Sequence, residues 1–363
     1  ASDAELREAA SKIGFPVMLK ASAGGGGRGM RIVSDPAQFE NELAVAKDEA
    51  LKGFGNDAMM VEKLVVDPKH VEVQFAADAH GNVVCLFERE CSIQRRHQKL
   101  IEEAPSPYPG IAALWPTMRD SVSNLVREAG YQGVGTAEFM LDGQTGNVYF
   151  LEVNARLQVE HCVTEEITDL DLVALQISIA EGKPINLRSE LMNGDRSGIG
   201  GHSIEVRIVA EDPTKGFLPS IGKIIGWAEP KGPGIRVETG FGKGSEISRF
   251  YDSMIAKVVA HGSTREAARQ RLIVALQDFH VLGVQTNIGY LIAVLSHDQF
   301  IKGDVDTGFL ARAYSDFASP APTATIAAIA SRATSAPTSS KIGEVRKSVW
   351  NLGDDWRVFS TTR

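Results

Sequence analysis

Cysteine is scarce in this sequence, and the three that occur, Cys85, Cys91 and Cys162, form no CxxC pair. Three cysteines cannot build a disulfide framework, and their spacing is not that of a zinc site. We therefore expect unpaired thiols and a reducing compartment such as the cytoplasm. Apolar runs of about 18 residues are also missing from the given chain, as is a signal-peptide pattern, so the sequence predicts no association with a membrane.

Basic residues are fewer than acidic ones: Lys and Arg total 38, Asp and Glu total 46, and the formal net charge is −8. This net charge argues against a general nucleic-acid-binding protein, but it is compatible with a local basic pocket for an anionic substrate. At about 150 residues per domain, the 363 residues predict two to three domains. Because the chain begins at Ala1, within a helical pattern, we expect an N-terminal portion to precede it.

The hydrophobic periodicity predicts an α+β fold with antiparallel hairpins. A capping box from Ser2 to Glu5 indicates where the first helix begins. The predicted helices cover residues 2–12, 36–52, 111–129, 170–181, 263–279 and 286–295. The predicted strands cover residues 15–22, 30–33, 59–63, 70–76, 83–88, 135–141, 148–154, 204–209, 223–227 and 235–238.

Four consecutive glycines at 24–27 connect two predicted strands shortly after Lys20. Because the run joins a strand to a strand, it predicts a hairpin tip and not the strand-to-helix phosphate loop of a Rossmann or Walker fold. Glycine lets backbone N–H groups approach phosphate oxygens closely, and Lys20 adds a positive charge. The alternative interpretation is a flexible surface tip without a ligand.

Glu138 and Glu152 lie on two predicted strands joined by a tight turn, so both carboxylates and Asn154 can point to one face. Hard oxygen ligands of this kind suit magnesium beside nucleotide phosphates. Exposed glutamates on a sheet face are the alternative.

Two further runs carry candidate residues. Arg156, Gln158 and Glu160 alternate, so an extended segment would place them on one face, where they fit a small planar oxyanion such as bicarbonate. Glu160 could then act as general base, and structural salt bridging is the alternative. The run 91–99 holds four basic side chains and predicts an anion pocket or, alternatively, a solvated basic loop.

Together these motifs closely resemble the biotin carboxylase module of biotin-dependent carboxylases, an ATP-grasp fold. The resemblance covers residues 15–314. It depends on Gly-Gly-Gly-Gly-Arg-Gly-Met after Lys20, Ser-Ile-Gln-Arg-Arg-His-Gln-Lys at 92–99, Glu-Val-Asn-Ala-Arg-Leu-Gln-Val-Glu-His at 152–161, and Tyr-Asp-Ser-Met at 251–254.

The resemblance implies an ATP-grasp fold followed by a β-rich C-terminal subdomain of the biotin carboxylase type. The expected boundaries are a small (lid) subdomain at 1–65, a large subdomain with the catalytic site at 66–196, the C-terminal subdomain at 197–316, an Ala/Thr/Ser/Pro linker at 317–345, and the start of a following module at 346–363.

The resemblance also implies roles for individual residues. Lys20, Gly26 and Gly27 match the hairpin that covers the phosphates, Glu62 and Lys63 the adenine-facing hinge, and His70, Gln94 and His97 further nucleotide contacts. Glu138, Glu152 and Asn154 match ligands of Mg²⁺ or Mn²⁺. Lys99, Arg156, Gln158 and Val159 match the bicarbonate site, Glu160 the general base, and Arg236 the arginine that faces the ureido oxygen of biotin.

The implied activity is ATP- and bicarbonate-dependent carboxylation of carrier-bound biotin through carboxyphosphate, the first half-reaction of an acyl-CoA carboxylase. The implied partners are bicarbonate, a biotin carboxyl carrier domain, a carboxyltransferase subunit and further copies of the chain in a homo-oligomer. No nucleic acid or membrane is expected, and a eukaryotic protein would reside in the mitochondrial matrix. The acyl group is selected by the carboxyltransferase, so the sequence does not identify it.

The sequence departs from the family in three places. A nucleotide-fold domain and a phosphate-contacting lysine normally precede this region, so we expect the 363 residues alone to bind nucleotide weakly and to turn over slowly. Cys162 replaces the usual proline, which predicts a less rigid loop at the base. Residues 248–250 lack the usual proline and tyrosine, a change we expect to be tolerated.

Two other functions remain open from the sequence. One is another bicarbonate-using ATP-grasp ligase of the carbamoyl-phosphate synthetase type, which Arg236 and the 251–254 motif argue against. The other is a nucleotide-binding chain without turnover.

Overall fold

A computed structural model describes residues 2–23, 29–96 and 98–318 of the chain. Within these ranges, the helices are too short or too polar to cross a membrane. The predicted module at 346–363 and nearly all of the predicted linker at 317–345 lie outside the described residues, as do Gly26, Gly27 and His97.

The N-terminal part forms a small three-stranded antiparallel sheet with β1 in the middle. Lys20 on β1 lies opposite Met30 on β2 and Met60 on β3, which confirms the predicted hairpin on either side of the glycines. Ser2 Oγ accepts a hydrogen bond from the Glu5 N–H, and the Glu5 carboxylate accepts one from the Ser2 N–H, so the predicted capping box is present. The elements are α1 (Asp3–Ile13), β1 (Val17–Ala21), β2 (Met30–Val33), α2 (Phe39–Phe54) and β3 (Met59–Lys63).

The middle of the chain supplies five strands of a large antiparallel sheet and the helices that cover it. Helix α3 packs on β4 and β5 through Trp115 and Met118 and encloses the main hydrophobic core with Val71, Val73 and Phe75. The elements are β4 (Lys69–Ala77), β5 (Val83–Arg95), β6 (Gln98–Ala104), α3 (Ile111–Glu128), β7 (Gly133–Leu141), β8 (Val148–Asn154), α4 (His161–Thr168), α5 (Leu172–Ala180) and α6 (Ser189–Met192).

The C-terminal part is rich in strands and adds three of them to the same sheet, whose order is β14-β16-β9-β6-β5-β4-β7-β8. The sheet therefore continues across the expected boundary at 196/197. Helix α7 packs on β9 and β16 around a second core that contains Val206, Val258 and Leu272. The elements are β9 (His202–Val209), β10 (Glu211–Asp212), β11 (Leu218–Pro219), β12 (Gly222–Lys223), β13 (Gly226–Ala228), β14 (Ile235–Glu238), β15 (Glu246–Ile247), β16 (Met254–Gly262), α7 (Arg265–Asp278), β17 (His280–Leu282), α8 (Ile288–Leu295), α9 (Asp298–Lys302) and α10 (Phe309–Ala313).

The structure decides two points of secondary structure that the sequence left open. In the basic run at 91–99, residues 91–95 and 98–99 belong to the ends of β5 and β6, which pair as a hairpin with Gln94 opposite Lys99, so these residues are not a solvated loop. The segment after Asn154 is not extended, because it turns and enters α4 at His161. Helix α4 packs across β5, β6, β9 and β16 and so covers one face of the sheet.

Candidate active site

The face of the sheet beneath α4 carries a row of charged side chains that strand register brings together. Glu152 on β8 lies opposite Glu138 on β7, Glu138 lies opposite Glu72 on β4, and Glu72 lies opposite Arg89 on β5. Side chains alternate along a strand, so Val71 and Val73 enter the apolar core while Glu72 faces the other way. The predicted alternation along β4 is therefore confirmed, although the polar face is buried rather than exposed to solvent.

Lys99 lies at the centre of this row and contacts three carboxylates. Its Nζ donates to Glu72 Oε2, to Glu138 Oε1 at 3.1 Å and to Glu160 Oε1 at 2.7 Å. Burial alone would lower the pKa of Lys99, but the surrounding negative groups raise it. The lysine is therefore charged at neutral pH, and it holds together acids from three separate parts of the chain.

Arg89 is the largest side chain that is fully buried among the described residues. Its guanidinium donates to Glu72 Oε1 at 2.6 Å, Gln74 Oε1 at 2.6 Å, Thr164 Oγ1 at 3.0 Å, Thr136 Oγ1 at 3.1 Å and Gln158 Oε1 at 3.3 Å. Burial would raise the pKa of Glu72, but the charges of Arg89 and Lys99 lower it to about 2. The arginine thus ties the sheet to α4 beneath the site.

The residues predicted to hold a divalent cation lie on the neighbouring strands β7 and β8, where Glu138 is opposite Glu152. Glu138 Oε1 accepts from Asn154 Nδ2 at 3.0 Å and from Gln158 Nε2 at 2.9 Å, and Glu138 Oε2 lies 3.0 Å from His70 Nε2. Burial would raise the pKa of Glu138, but His70 and Lys99 lower it to about 2, so the carboxylate is ionised. Glu152 is exposed on the neighbouring strand. Two carboxylates and an amide oxygen are a donor set that fits Mg²⁺.

The predicted oxyanion residues differ in exposure. Arg156 is exposed and donates to the Leu157 carbonyl at 3.2 Å and to Asn154 Oδ1 at 3.4 Å, whereas Gln158 and Glu160 are buried. The chain leaves β8 at Asn154 and turns into α4, so the extended segment on which the alternation depended ends before Glu160, and the shared oxyanion site stays a prediction. Gln158 connects Glu138 to Arg89, and Glu160 joins the charged row.

Glu160 is held by two cations, one on each carboxylate oxygen. Lys99 binds Oε1, and Arg207 Nη2 donates to Oε2 at 2.9 Å. The backbone beside it is fixed by Lys257, whose Nζ donates to the Val159 carbonyl. The Lys257 ammonium also lies 3.0 Å from Cys162 Sγ, so the residue that replaces the family proline is packed against a cation in the first turn of α4.

The nucleotide-side predictions fall into two groups. His70 connects Glu138 to Gln94, whose Nε2 lies 3.4 Å from His70 Nδ1. Lys20 instead forms an ion pair with Glu62 in the small sheet. Within the described part of the chain, Lys20, Glu62 and Lys63 make no hydrogen bond or ion pair with the charged row.

Arg236 lies on β14 in a cleft of about 330 Å³ next to α4. Its Nη1 donates to Glu165 Oε2 and its Nε donates to Glu238 Oε1, both at 2.7 Å. The arginine makes no direct contact with Glu160. Its partner Glu165 lies on α4, five residues beyond Glu160.

Four residues that shape the site were missed from the sequence, namely Glu72, Arg89, Glu205 and Arg207. Glu72, Glu205 and Arg207 are charged residues at alternate positions of strands whose other residues are largely apolar, and Arg89 lies in a charged triplet within the otherwise largely apolar β5. That pattern is a usable signal, because a charge in such a strand must be paired or must face a site.

Glu102 and Glu205 lie directly opposite each other on β6 and β9, and both are fully buried. Glu102 Oε2 and both carboxylate oxygens of Glu205 have no hydrogen-bond partner among the described residues. Burial raises the pKa of Glu102 to about 7 and raises the pKa of Glu205 well above its usual range. A buried acid of this kind opposes folding when it must ionise.

We expect Glu205→Gln to stabilise the protein more at about pH 8 than at about pH 5. Unfolded Glu205 ionises near its usual pKa of 4.5, whereas folded Glu205 retains its proton to higher pH. Stability is therefore lost as the pH rises between the two values, and a glutamine avoids this loss. The gain in Tm over wild type should grow by about 1–3 °C between the two pH values. A gain that is equal or smaller at the higher pH would show that Glu205 is stable as a buried anion.

The eight-stranded antiparallel sheet, the preceding β1–β2 hairpin and the buried carboxylates of the charged row define an ATP-grasp domain. Two family patterns match the chain: "Carbamoyl-phosphate synthase L chain, ATP binding domain" over residues 1–188 and "Biotin carboxylase C-terminal domain" over residues 205–312. The chain belongs to the biotin carboxylase family, so the predicted fold is confirmed. The second match also separates it from carbamoyl-phosphate synthetases.

Among curated proteins, the chain is 44% identical over 320 residues to the mitochondrial methylcrotonoyl-CoA carboxylase subunit alpha of Rattus norvegicus, covering 87% of this chain and 43% of that protein. It is 45% identical over 309 residues to the mitochondrial propionyl-CoA carboxylase alpha chain of Homo sapiens, covering 85% and 42%. The chain thus spans less than half the length of these relatives.

Among solved structures, the chain matches the biotin carboxylase domain dimer of the Hydrogenobacter thermophilus 2-oxoglutarate carboxylase in complex with MgADP, ADP and bicarbonate. The TM-score is 0.78 at 43% identity, and the match covers 87% of this chain and 69% of that one. The biotin carboxylase–β-γ-ATP complex from Campylobacter jejuni matches with a TM-score of 0.78 at 39% identity, covering 86% and 68%.

Proposed function

We propose that the protein carboxylates carrier-bound biotin with ATP and bicarbonate, through carboxyphosphate, as the first half-reaction of an acyl-CoA carboxylase. The observation that supports this most strongly is Glu160, a buried carboxylate between Lys99 and Arg207, one residue before α4 and beside an acid-rich cation site. The relatives that share these sequences are carboxylases, and one matched structure is described with bicarbonate and MgADP.

The nucleotide is bound between the small sheet and the charged row. Lys20 and the glycine hairpin with Gly26 and Gly27 contact the phosphates, and Glu62 and Lys63 face the adenine. His70, Gln94 and His97 supply further contacts. Glu138, Glu152 and Asn154 would hold Mg²⁺ or Mn²⁺, which when bound neutralises phosphate charge.

Bicarbonate lies beside Arg156, Gln158, Val159 and Lys99. Arg156 is exposed, and its guanidinium can turn from Asn154 to bind a planar anion through two N–H groups. Glu160 removes the bicarbonate proton, and the resulting oxygen attacks the γ-phosphate of ATP, releasing ADP. Lys99 donates to three carboxylates, so it can leave Glu160 for the γ-phosphate oxygens of bound ATP before the proton transfer and then stabilise these oxygens as their charge develops.

Carboxyphosphate then breaks into CO₂ and phosphate. Phosphate removes the N1′ proton of biotin, and Arg236 stabilises the negative charge on the ureido oxygen. The nitrogen attacks CO₂ and forms carboxybiotin. For this step Arg236 must release Glu165 or Glu238, its present partners.

The proposed reaction also needs partner domains and a cellular compartment. The partners are a biotin carboxyl carrier domain, a carboxyltransferase subunit and a second copy of the chain, as in the matched dimer. The curated relatives named above are mitochondrial, so a eukaryotic protein would act in the mitochondrial matrix and a bacterial one in the cytoplasm. The boundaries at 65, 196 and 316 divide the lid, the catalytic subdomain and the C-terminal subdomain.

The proposal is tested by ADP release from the full-length protein with ATP, Mg²⁺ and bicarbonate, with and without free biotin. A biotin carboxylase should release ADP faster when biotin is added. Bicarbonate-dependent release that biotin does not change would indicate another bicarbonate-using ligase, and nucleotide binding without release would indicate a chain without turnover.

We expect Glu152→Gln to weaken MgADP binding about tenfold, because it removes one of two anionic ligands while keeping the side-chain shape. Calorimetric titration with MgADP and with metal-free ADP separates the cation from the nucleotide, and only the MgADP affinity should fall. Glu181→Gln, on the exposed turn after α5, is the matched control. Equal MgADP affinity in both variants would mean that β8 does not face the cation.

A further inference from the structure

Arg207 joins two buried carboxylates beside the proposed base. Its Nε donates to Glu102 Oε1 at 2.6 Å, and its Nη2 donates to Glu160 Oε2 at 2.9 Å. The arginine side chain is 17% exposed, whereas those of Glu102 and Glu160 are 0% and 2% exposed. The guanidinium is planar and rigid, so an anchor on one edge fixes the direction of the other edge.

We propose that Arg207 is a positioning residue that sets the orientation of the Glu160 carboxylate; this inference rests on the proposed role of Glu160 as general base. Glu160 occupies the N-terminal boundary of α4, and its side chain makes no capping hydrogen bond there. The two cations on it differ in kind. Lys99 divides its three hydrogen bonds among three acids, whereas Arg207 is anchored by Glu102 on the adjacent strand.

The different anchoring of the two cations gives each a different task. When Lys99 turns to the phosphoryl group, Oε1 of Glu160 becomes free to accept the bicarbonate proton. Oε2 stays on Arg207, so the free oxygen keeps its direction. A misplacement of about 1 Å can cost about a hundredfold in rate, so loss of Arg207 should reduce turnover without touching nucleotide binding.

The experiment is a double-mutant cycle in the full-length protein, with bicarbonate-dependent ATP cleavage as the readout. Arg207→Gln should lower kcat about tenfold to a hundredfold in the wild-type background. In the Glu160→Gln background it should lower kcat less than about threefold, because the carboxylate whose orientation it sets is absent. Arg207→Lys should recover part of the lost kcat, and the MgADP affinity should stay unchanged in all variants.

The matched control is Arg265→Gln, which removes a buried pairing to Glu103, the neighbour of Glu102 that faces the other side of β6. It should lower the Tm and leave kcat intact. If Arg207→Gln does not fold, Glu102→Gln weakens the Arg207–Glu102 contact while keeping both side chains. Its effect on kcat should likewise be smaller in the Glu160→Gln background than in the wild-type background. Equal losses in both backgrounds would overturn the positioning role alone, whereas full turnover by Glu160→Gln would overturn the proposed function itself.

Discussion

Replacement of Glu160 by glutamine is expected to lower bicarbonate-dependent ATP cleavage by about 10²–10⁴-fold, the usual effect of losing a general base. The change keeps the shape of the side chain and one acceptor oxygen. Lys99 retains Glu72 and Glu138 as partners, and Arg207 retains Glu102, so the surroundings stay satisfied. The affinity for MgADP, measured by titration, should therefore change little.

A matched control is Glu88→Gln. Glu88 is a fully buried carboxylate on β5 that pairs with Arg196 and faces away from the charged row. Its replacement should lower the Tm by an amount comparable to Glu160→Gln or larger, while kcat stays within about twofold of wild type. Near-normal turnover by Glu160→Gln would remove the residue from its role as base.

Replacement of Arg89 by methionine should produce the largest loss of stability, about 3–5 kcal/mol. The guanidinium is fully buried and makes five hydrogen bonds, so its removal leaves Glu72 with Lys99 alone and strips donors from Gln74, Thr136, Thr164 and Gln158. Methionine fills much of the volume, so the loss measures the pairing rather than a cavity. Denaturant unfolding followed by fluorescence measures the change.

Arg119→Met is the control for Arg89→Met. Arg119 pairs with Asp120 on the surface of α3, and an exposed pair of this kind contributes at most about 1 kcal/mol. If Arg89→Met lowered the free energy of unfolding no more than this control does, the hydrogen bonds of Arg89 would not stabilise the packing of α4 on the sheet.

Local elements of the fold could be predicted because their signals are local. The hairpin around the glycines, the capping box at Ser2 and the strand β14 all follow from a few neighbouring residues. Strand β6 could not be predicted in this way, because Lys99, Glu102 and Glu103 make it look like a solvated segment. Three of their partners, Glu160, Arg207 and Arg265, lie 61 to 162 residues away along the chain.

The sequence predicted several of the residues that belong to the site but not which of them contact one another. The resemblance to a family brought Glu138, Asn154, Lys99 and Glu160 to attention, and the structure places them together. Glu72 and Arg89 join them only through strand register, which the sequence does not reveal. The alternation of Arg156 with Glu160 tests nothing by itself, because period two has meaning only where the backbone is extended and the strand ends at Asn154.

Cys162 illustrates the same limit. The sequence predicted a less rigid loop at the base, on the ground that cysteine lacks the fixed φ of proline. In the structure, side-chain contacts hold this loop instead: Lys257 Nζ donates to the Val159 carbonyl and contacts Cys162 Sγ. The lower rigidity of that loop stays a prediction. The loop is nevertheless connected to β16, the strand that carries Lys257.

The most direct test of the central claim is the formation of carboxybiotin from ¹⁴C-bicarbonate, ATP, Mg²⁺ and free biotin by the full-length protein and by its Glu160→Gln variant. The account predicts acid-labile radioactivity on biotin that requires ATP and is lost in the variant. Absence of labelled biotin from the wild-type protein while ATP is still cleaved, or equal labelling by the variant, would contradict it.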